Sequence, residues 1–324
     1  MATLDPQLLA FLKTFRRKPF NEVPWEESQA SFQAVFKAQA AGTSLVSTQD
    51  LSIPGPDSNS LPIRVYTPEV QTPPMGGLPV LAYFHGGGFA FGDLDTPSHA
   101  LCSKLSSRAG YIVVSVDYRL APQHKFPAAH RDAYAAAAWV AEHAASLGGN
   151  PSRLAVGGDS AGGNLAIATC LQAYHEDGPR IMFQLLINPV TDLLDSGHAS
   201  KQLFADGPFL TMAGMQQYYT WLLTEPEQAT DALLAPNLAT DLEGLPPTFV
   251  ATAEVDLLRD EAEQFAGRLT EAGVKVEWKR YSGMCHGFMN LASITQLDAA
   301  EKAIDDCAAV LRQAAARAHP AAAL

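Results

Sequence analysis

The chain has 324 residues and a formal charge of −12, with 34 acidic side chains against 22 basic ones. That excess opposes contact with a phosphate backbone, so no nucleic-acid partner is expected; the acidic residues are scattered, as on an ordinary solvated surface. The four cysteines form no C-x-x-C pair, the nine histidines no i, i+4 pair or H-E-x-x-H motif, and no apolar run reaches the ~18 residues a membrane span requires, so no metal, redox motif or membrane span is expected.

Asp5-Pro6 opens the first predicted helix, with Asp as its cap and Pro in the first turn. Its apolar stretch Leu8-Leu9-Ala10-Phe11-Leu12 is too short for a secretory signal, follows Asp5 and precedes Lys13, Arg16 and Arg17. With four cysteines read as free thiols, a cytoplasmic protein is expected. Trp25 to about Ala41 predicts a second helix with Phe32, Val35 and Phe36 on one face. Leu51 to Pro54 and Leu61 to Thr67 predict short strands near a sheet edge, joined by a turn rich in Pro, Asp, Asn and Ser. Leu78 to Phe84 is an apolar strand running directly into His85-Gly86-Gly87-Gly88-Phe89.

Strands and helices then alternate. Tyr111 to Asp117 predicts a strand, Pro127 to Leu147 an Ala-rich helix, Arg153 to Gly157 a buried strand and Asn164 to Leu171 a helix. Further strands are expected at Met182 to Ile187, Thr248 to Thr252 and Val274 to Tyr281, with helices at Leu258 to Ala272 and Ile294 to Ala315. This alternation predicts an α/β fold, a mostly parallel sheet with helices on both faces. Two stretches depart from it: residues 1–45 are helical before any strand, and residues 196–236 carry Phe204, Phe209, Tyr218, Tyr219 and Trp221 without one.

Between a predicted strand and helix lies Gly158-Asp159-Ser160-Ala161-Gly162-Gly163. A serine on such a sharp turn has its hydroxyl pushed clear of the backbone, beside a helix N-terminus that favours negative charge. The flanking glycines leave room for the neighbouring strand and helix. Alone, G-x-S-x-G is a weak pattern. The earlier triple glycine adds to it, because bare backbone N–H groups can be aimed at an oxyanion, and one such donor is worth about 10²–10³-fold in turnover.

These two motifs resemble the hormone-sensitive lipase family of α/β-hydrolases, in its bacterial esterase branch. Asp117-Tyr118-Arg119-Leu120-Ala121-Pro122 and Phe126-Pro127-Ala128-Ala129 are similar to the family's connecting segment. Asp256-Leu257-Leu258-Arg259-Asp260-Glu261 and His286-Gly287-Phe288 are similar to its acid and base motifs, and the similarity holds in order from about residue 60 to 312. Two residues depart from the family: Leu257 replaces the usual Pro after the acid, and Gln123 replaces the usual Glu, where a change in a buried polar contact near the site is expected. The resemblance implies an α/β-hydrolase core over residues 46–195 and 237–324, N-terminal cap helices over 1–45 and a cap insertion over 196–236. It also implies an oxyanion hole from Gly87, Gly88 and Ala161, and a pocket drawing on Phe89, Phe209, Met212 and Tyr218, with Met215 nearby.

A serine needs a base within hydrogen-bond reach. His286 follows a predicted strand in a Gly/Met-rich loop, and a carboxylate-bearing loop precedes it. The order Ser, acid, His is that of α/β-hydrolases. His175 and His198 come before the acid, His319 lies in an Ala-rich tail, and His85 is expected to brace the glycine loop. Among three nearby carboxylates, Asp256 falls in the loop after its strand, Asp260 in the first turns of a helix, and Glu254 nearer the strand end, where it is expected to supply a buried hydrogen bond. The expected function is ester hydrolysis by Ser160, His286 and Asp256 on a small-molecule ester, with no cofactor and with a homodimer left open. The branch implies short to medium acyl chains, butyryl to octanoyl. An amidase or acyltransferase with the same three residues, or a non-catalytic receptor on the same fold, are the alternatives.

Overall fold

The computed structural model describes residues 3–15, 22–37, 46–72, 74–194 and 197–317. Arg16, Arg17, the expected helix end over 38–41, the side chain of Phe36, residues 45 and 196 at expected boundaries, and His319 lie outside the described residues.

Helix α1 (Pro6–Thr14) starts where expected, because Asp5 Oδ1 accepts from the backbone N–H groups of Gln7 and Leu8 at 2.8 and 3.3 Å. Helix α2 (Trp25–Lys37) follows. Strands β1 (Val46–Pro54) and β2 (Ser60–Pro68) form an antiparallel hairpin, and β1 begins well before the expected Leu51. Then come β3 (Leu78–Phe84), α3 (His99–Ala109), β4 (Ile112–Val116), α4 (Ala128–His143), β5 (Gly149–Asp159), α5 (Ala161–His175) and β6 (Phe183–Ile187). Helices α6 (Ala199–Leu203) and α7 (Met212–Leu222) occupy the stretch before β7 (Thr248–Val255), α8 (Arg259–Glu271), β8 (Val276–Cys285), α9 (Phe288–Leu291) and α10 (Asp298–Arg317).

The eight strands form one sheet in the order β1-β2-β4-β3-β5-β6-β7-β8. Both pairings of β2 are antiparallel and every other pairing is parallel. Strands β3, β4 and β6 are buried along their whole length, as apolar runs covered on both faces must be. Side chains alternate across the sheet. Val80, Ala82 and Phe84 of β3 face one apolar layer with α4, α5 and α8, while Leu81 and Tyr83 face a second with α3 and α10. Each fully buried Leu, Val or Phe in these layers is worth roughly 1.5–3 kcal/mol. The carboxyl ends of β5, β7 and β8 therefore open onto one edge, where Ser160, Asp256 and His286 follow their strands.

Three expectations are corrected. Strand β8 runs on through Cys285, so His286 follows the strand directly instead of sitting in a Gly/Met-rich loop. The closing helix starts at Asp298 rather than Ile294, with the short α9 before it. Gln123 is exposed, so it makes no buried polar contact. Among the described residues no helix is long and apolar enough to cross a membrane, and all four cysteines are buried free thiols.

Candidate active site

Ser160 lies between β5 and α5 with φ 56° and ψ −119°. A non-glycine residue there costs about 1–3 kcal/mol and persists only where its surroundings hold it. Here its N–H donates to Ile187 O at 2.8 Å, and its carbonyl accepts from Val190 N at 3.2 Å. The turn is sharp enough that a Cβ on Gly162 would lie 1.9 Å from Phe84 O, so only glycine fits. Ala161 is the first residue of α5, and its N–H therefore has no partner four residues back inside the helix.

The other two residues converge on this hydroxyl. Asp256 Oδ2 lies 2.8 Å from His286 Nδ1, and His286 Nε2 lies 2.9 Å from Ser160 Oγ. An ionised carboxylate only accepts, so Nδ1 carries the proton and Nε2 is left to accept from Ser160. Burial alone would make His286 a weaker base. The charge of Asp256 and its hydrogen bond, with smaller contributions from Asp159 and Glu261, outweigh that and hold the imidazole above its ordinary 6.5. Asp256 is itself buried, its Oδ1 accepting from Leu258 N at 3.0 Å.

Asn188 was not singled out in the sequence. It stands at the end of β6 with φ 45°, and its Nδ2 donates to Asp256 Oδ2 at 3.1 Å. Only the strand before it hinted at a place on this edge. Asp159 is nearly as buried, and accepts from Tyr83 Oη, Ser98 Oγ and Asn290 Nδ2 at 2.8, 3.0 and 2.8 Å. It sits within the elbow motif, which gives position but no role.

The remaining carboxylates are engaged elsewhere. Asp260 Oδ2 accepts from Ser200 N at 2.7 Å and Oδ1 from Arg259 Nε at 2.7 Å, which ties α6 to α8. Glu254 Oε2 accepts from Gly283 N at 2.7 Å, below the turn that carries His286. Glu261 is fully buried against Lys201 at 3.0 Å, and burial pushes it up to about 7. His85 is buried, with Nδ1 2.8 Å from Gly86 O and its ring stacked on Tyr118, which suits a brace for the glycine loop. Cys285 is buried and its thiol is pushed up by desolvation, so no thiolate nucleophile is available there.

A cavity of about 80 Å³ opens beside Ser160 and His286, lined also by Gly87, Gly88, Phe32, Phe209, Leu210, Tyr218 and Leu291. Two of the four expected pocket residues, Phe209 and Tyr218, therefore face it. Phe89 does not: it is buried behind the glycine loop with its ring stacked on His130. Met212, half-buried, packs against the core cluster instead of lining this space, and Met215 lies within that cluster. Phe32 of α2 takes a place in the wall that the sequence did not assign.

Residues 81–290 match a family model described as the alpha/beta hydrolase fold. The chain is 40% identical over 299 residues to the carboxylic ester hydrolase LipN of Mycobacterium tuberculosis, covering 89% of this chain and 78% of that protein. It is 34% identical over 307 residues to an ethyl acetate hydrolase of Pseudomonas putida, covering 91% and 94%. An esterase of Pyrobaculum calidifontis superposes with a TM-score of 0.88 at 36% identity, over 96% of this chain and 98% of that one. With such matches over nearly its whole length, the chain belongs to the α/β-hydrolase family, on the bacterial carboxylesterase branch related to hormone-sensitive lipase.

Proposed function

We propose that the chain hydrolyses small carboxylic esters through an acyl-enzyme on Ser160, with His286 as base and Asp256 as its orienting acid. The observation that carries this reading is the unbroken relay from Asp256 through His286 to Ser160, at 2.8 and 2.9 Å. Ser160 Oγ attacks the ester carbonyl while its proton passes to His286 Nε2. The tetrahedral oxyanion is received by the N–H groups of Gly87, Gly88 and Ala161. His286 then returns the proton to the departing alcohol. Water, deprotonated by the same imidazole, releases the acid. Asp256 keeps the imidazole in the productive tautomer and stabilises its cation.

Residues 1–45 and 196–236 serve as a cap in this reading, since Phe32, Phe209 and Tyr218 from these stretches line the cavity beside Ser160. The family resemblance carries the preference for butyryl to octanoyl chains over long ones, and the aromatic side chains walling the cavity offer an apolar surface for such chains. A cytoplasmic location accords with the free thiols. Initial rates on p-nitrophenyl esters from acetyl to palmitoyl, beside a matched anilide, test the reading. Fastest turnover of a short to medium ester is expected; a faster anilide or no turnover at all would favour an amidase or a receptor.

A further inference from the structure

Asp159 is a buried carboxylate that the mechanism above does not use. It is 4% exposed, and all its bonds go to parts of the site that are distant in sequence. Oδ1 accepts from Tyr83 on β3, two residues before His85, and from Ser98 at the start of α3. Oδ2 accepts from Asn290 on α9, four residues after His286. Gly86 presses against the same oxygen, since a Cβ there would meet Oδ2 at 2.4 Å. Three segments that carry the nucleophile, the glycine loop and the base thus meet on one side chain.

A buried charge is costly unless it is paired and hydrogen-bonded. Three donors and the N-terminus of α5 offset part of that cost. An amide has a single oxygen, which could still accept from Tyr83 and Ser98 but would set an N–H against Asn290 Nδ2, so Asp159→Asn removes the charge and loosens that one tie. We propose that Asp159 is a positioning residue for ester hydrolysis, a single carboxylate that holds nucleophile, glycine loop and base in register and whose charge stabilises His286 as it becomes a cation. The proposal rests on the serine mechanism above.

The groups around it fit this role. The titratable neighbours of Asp159 are Tyr83, Tyr118, Cys102 and His286. Burial holds the two phenols and the thiol protonated, so of these four groups the imidazole of His286 is the one that changes charge near neutral pH. His286 in turn faces Asp256 directly, with Asp159 and Glu261 adding negative charge from β5 and α8. Asp159→Asn therefore removes one of the carboxylates acting on the base while leaving an acceptor for Tyr83 and Ser98, and Asn290→Ala shows separately what losing the third bond does.

The test compares the full chain with Asp159→Asn, Asn290→Ala and Ser160→Ala, measuring kcat, KM and thermal unfolding on p-nitrophenyl butyrate from pH 5 to 9. Folded Asp159→Asn is expected to lose about tenfold or more in kcat, with KM within about threefold, and to shift its acid limb down by roughly half a pH unit or more. Asn290→Ala keeps the charge but cuts the tie to the base segment, so kcat should fall with the acid limb at or above its original position. A folded Asp159→Asn with an unmoved acid limb overturns the proposal, whether or not kcat falls, because a mere brace would give that result. Should Asp159→Asn not fold, an Asn290→Ala with unchanged kcat, or with a lowered acid limb, overturns it instead. Activity surviving in Ser160→Ala would remove the serine mechanism itself, which an unmoved limb in Asp159→Asn would not.

Discussion

Ser160, Asp256 and His286 come from the ends of three strands and meet within hydrogen-bond distance, so single substitutions there have sharp consequences. Ser160→Ala removes only a hydroxyl and should leave unfolding unchanged while ester turnover falls to background; wild-type turnover in a folded variant would defeat the assignment. Asp256→Asn should lower kcat by about 10⁴, the figure known for the equivalent change in a serine protease, because the wrong tautomer is left facing the serine. Asp260→Asn should cost far less in kcat, since that carboxylate holds α6 and Arg259 and does not touch the base. The pH profile follows from the same geometry. His286 must be neutral to take the serine proton, and its surroundings hold it above 6.5. The rate constant kcat/KM is thus expected to be full in alkali and to fall as pH drops through a value above 6.5, and a midpoint well below 6.5 would contradict that.

At the scale of elements, the sequence showed the central strands and the long helices because their apolar runs are continuous. Leu78–Phe84 matches β3 at both ends. Helix α3 has no counterpart among the expected elements: three serines and a histidine lower its intrinsic propensity, and it forms because Leu101, Cys102 and Leu105 pack beneath the sheet. The full length of β8 was hidden for a different reason. It is an edge strand with Lys279, Arg280 and Ser282 in it and Gly283 at φ 70°, and its polar pattern looks like the end of a strand. The three residues that meet at hydrogen-bond distance were legible because the proposed chemistry limits their types and order, whereas Asn188 and the pocket wall depend on packing that no local pattern encodes. One wall position invites a test. Phe209 faces the cavity, stacks on Phe11 and meets the tilted ring of Phe15 in the N-terminal segment, at 6.3 and 4.9 Å between ring centres. Phe209→Ala should open that wall and move the preferred acyl chain to greater length, each newly buried methylene gaining about 0.8 kcal/mol. An unchanged chain-length profile would show that the acyl chain lies elsewhere.

Across the whole molecule, stability and activity should respond oppositely to pH. Ion-paired carboxylates such as Asp50, Glu301 and Asp306 are held below their usual values, so their contribution is present above those ordinary values of 3.8 to 4.5 and is lost as pH falls through the lowered ones. Glu261 and His286 are raised. Their contribution is complete below 4.5 and 6.5 respectively, and is lost as pH climbs through about 7 for Glu261 and through the raised value for His286. The unfolding temperature should therefore be higher at pH 5.5 than at pH 8, while kcat/KM runs the other way, and a higher Tm at pH 8 would be inconsistent with these assignments. Chelators should leave the rate unchanged, because proton transfer and oxyanion binding are both supplied by the chain; loss with EDTA that a divalent ion restores would refute the mechanism.

The relay between Ser160 and His286 joins residues 126 apart in the chain. Strand β8, which leads into His286, is also tied to the start of the first helix, where Asp5 N donates to Gly283 O at 3.0 Å. A ribosome adding about 5–20 residues per second needs roughly 6–25 s to travel from the nucleophile to the base. Throughout that interval the nascent chain holds an elbow serine with nothing to deprotonate it. Esterase activity should consequently appear only once β8 and His286 have been added and that strand closes the sheet edge, and fragments that stop short of them should be catalytically silent.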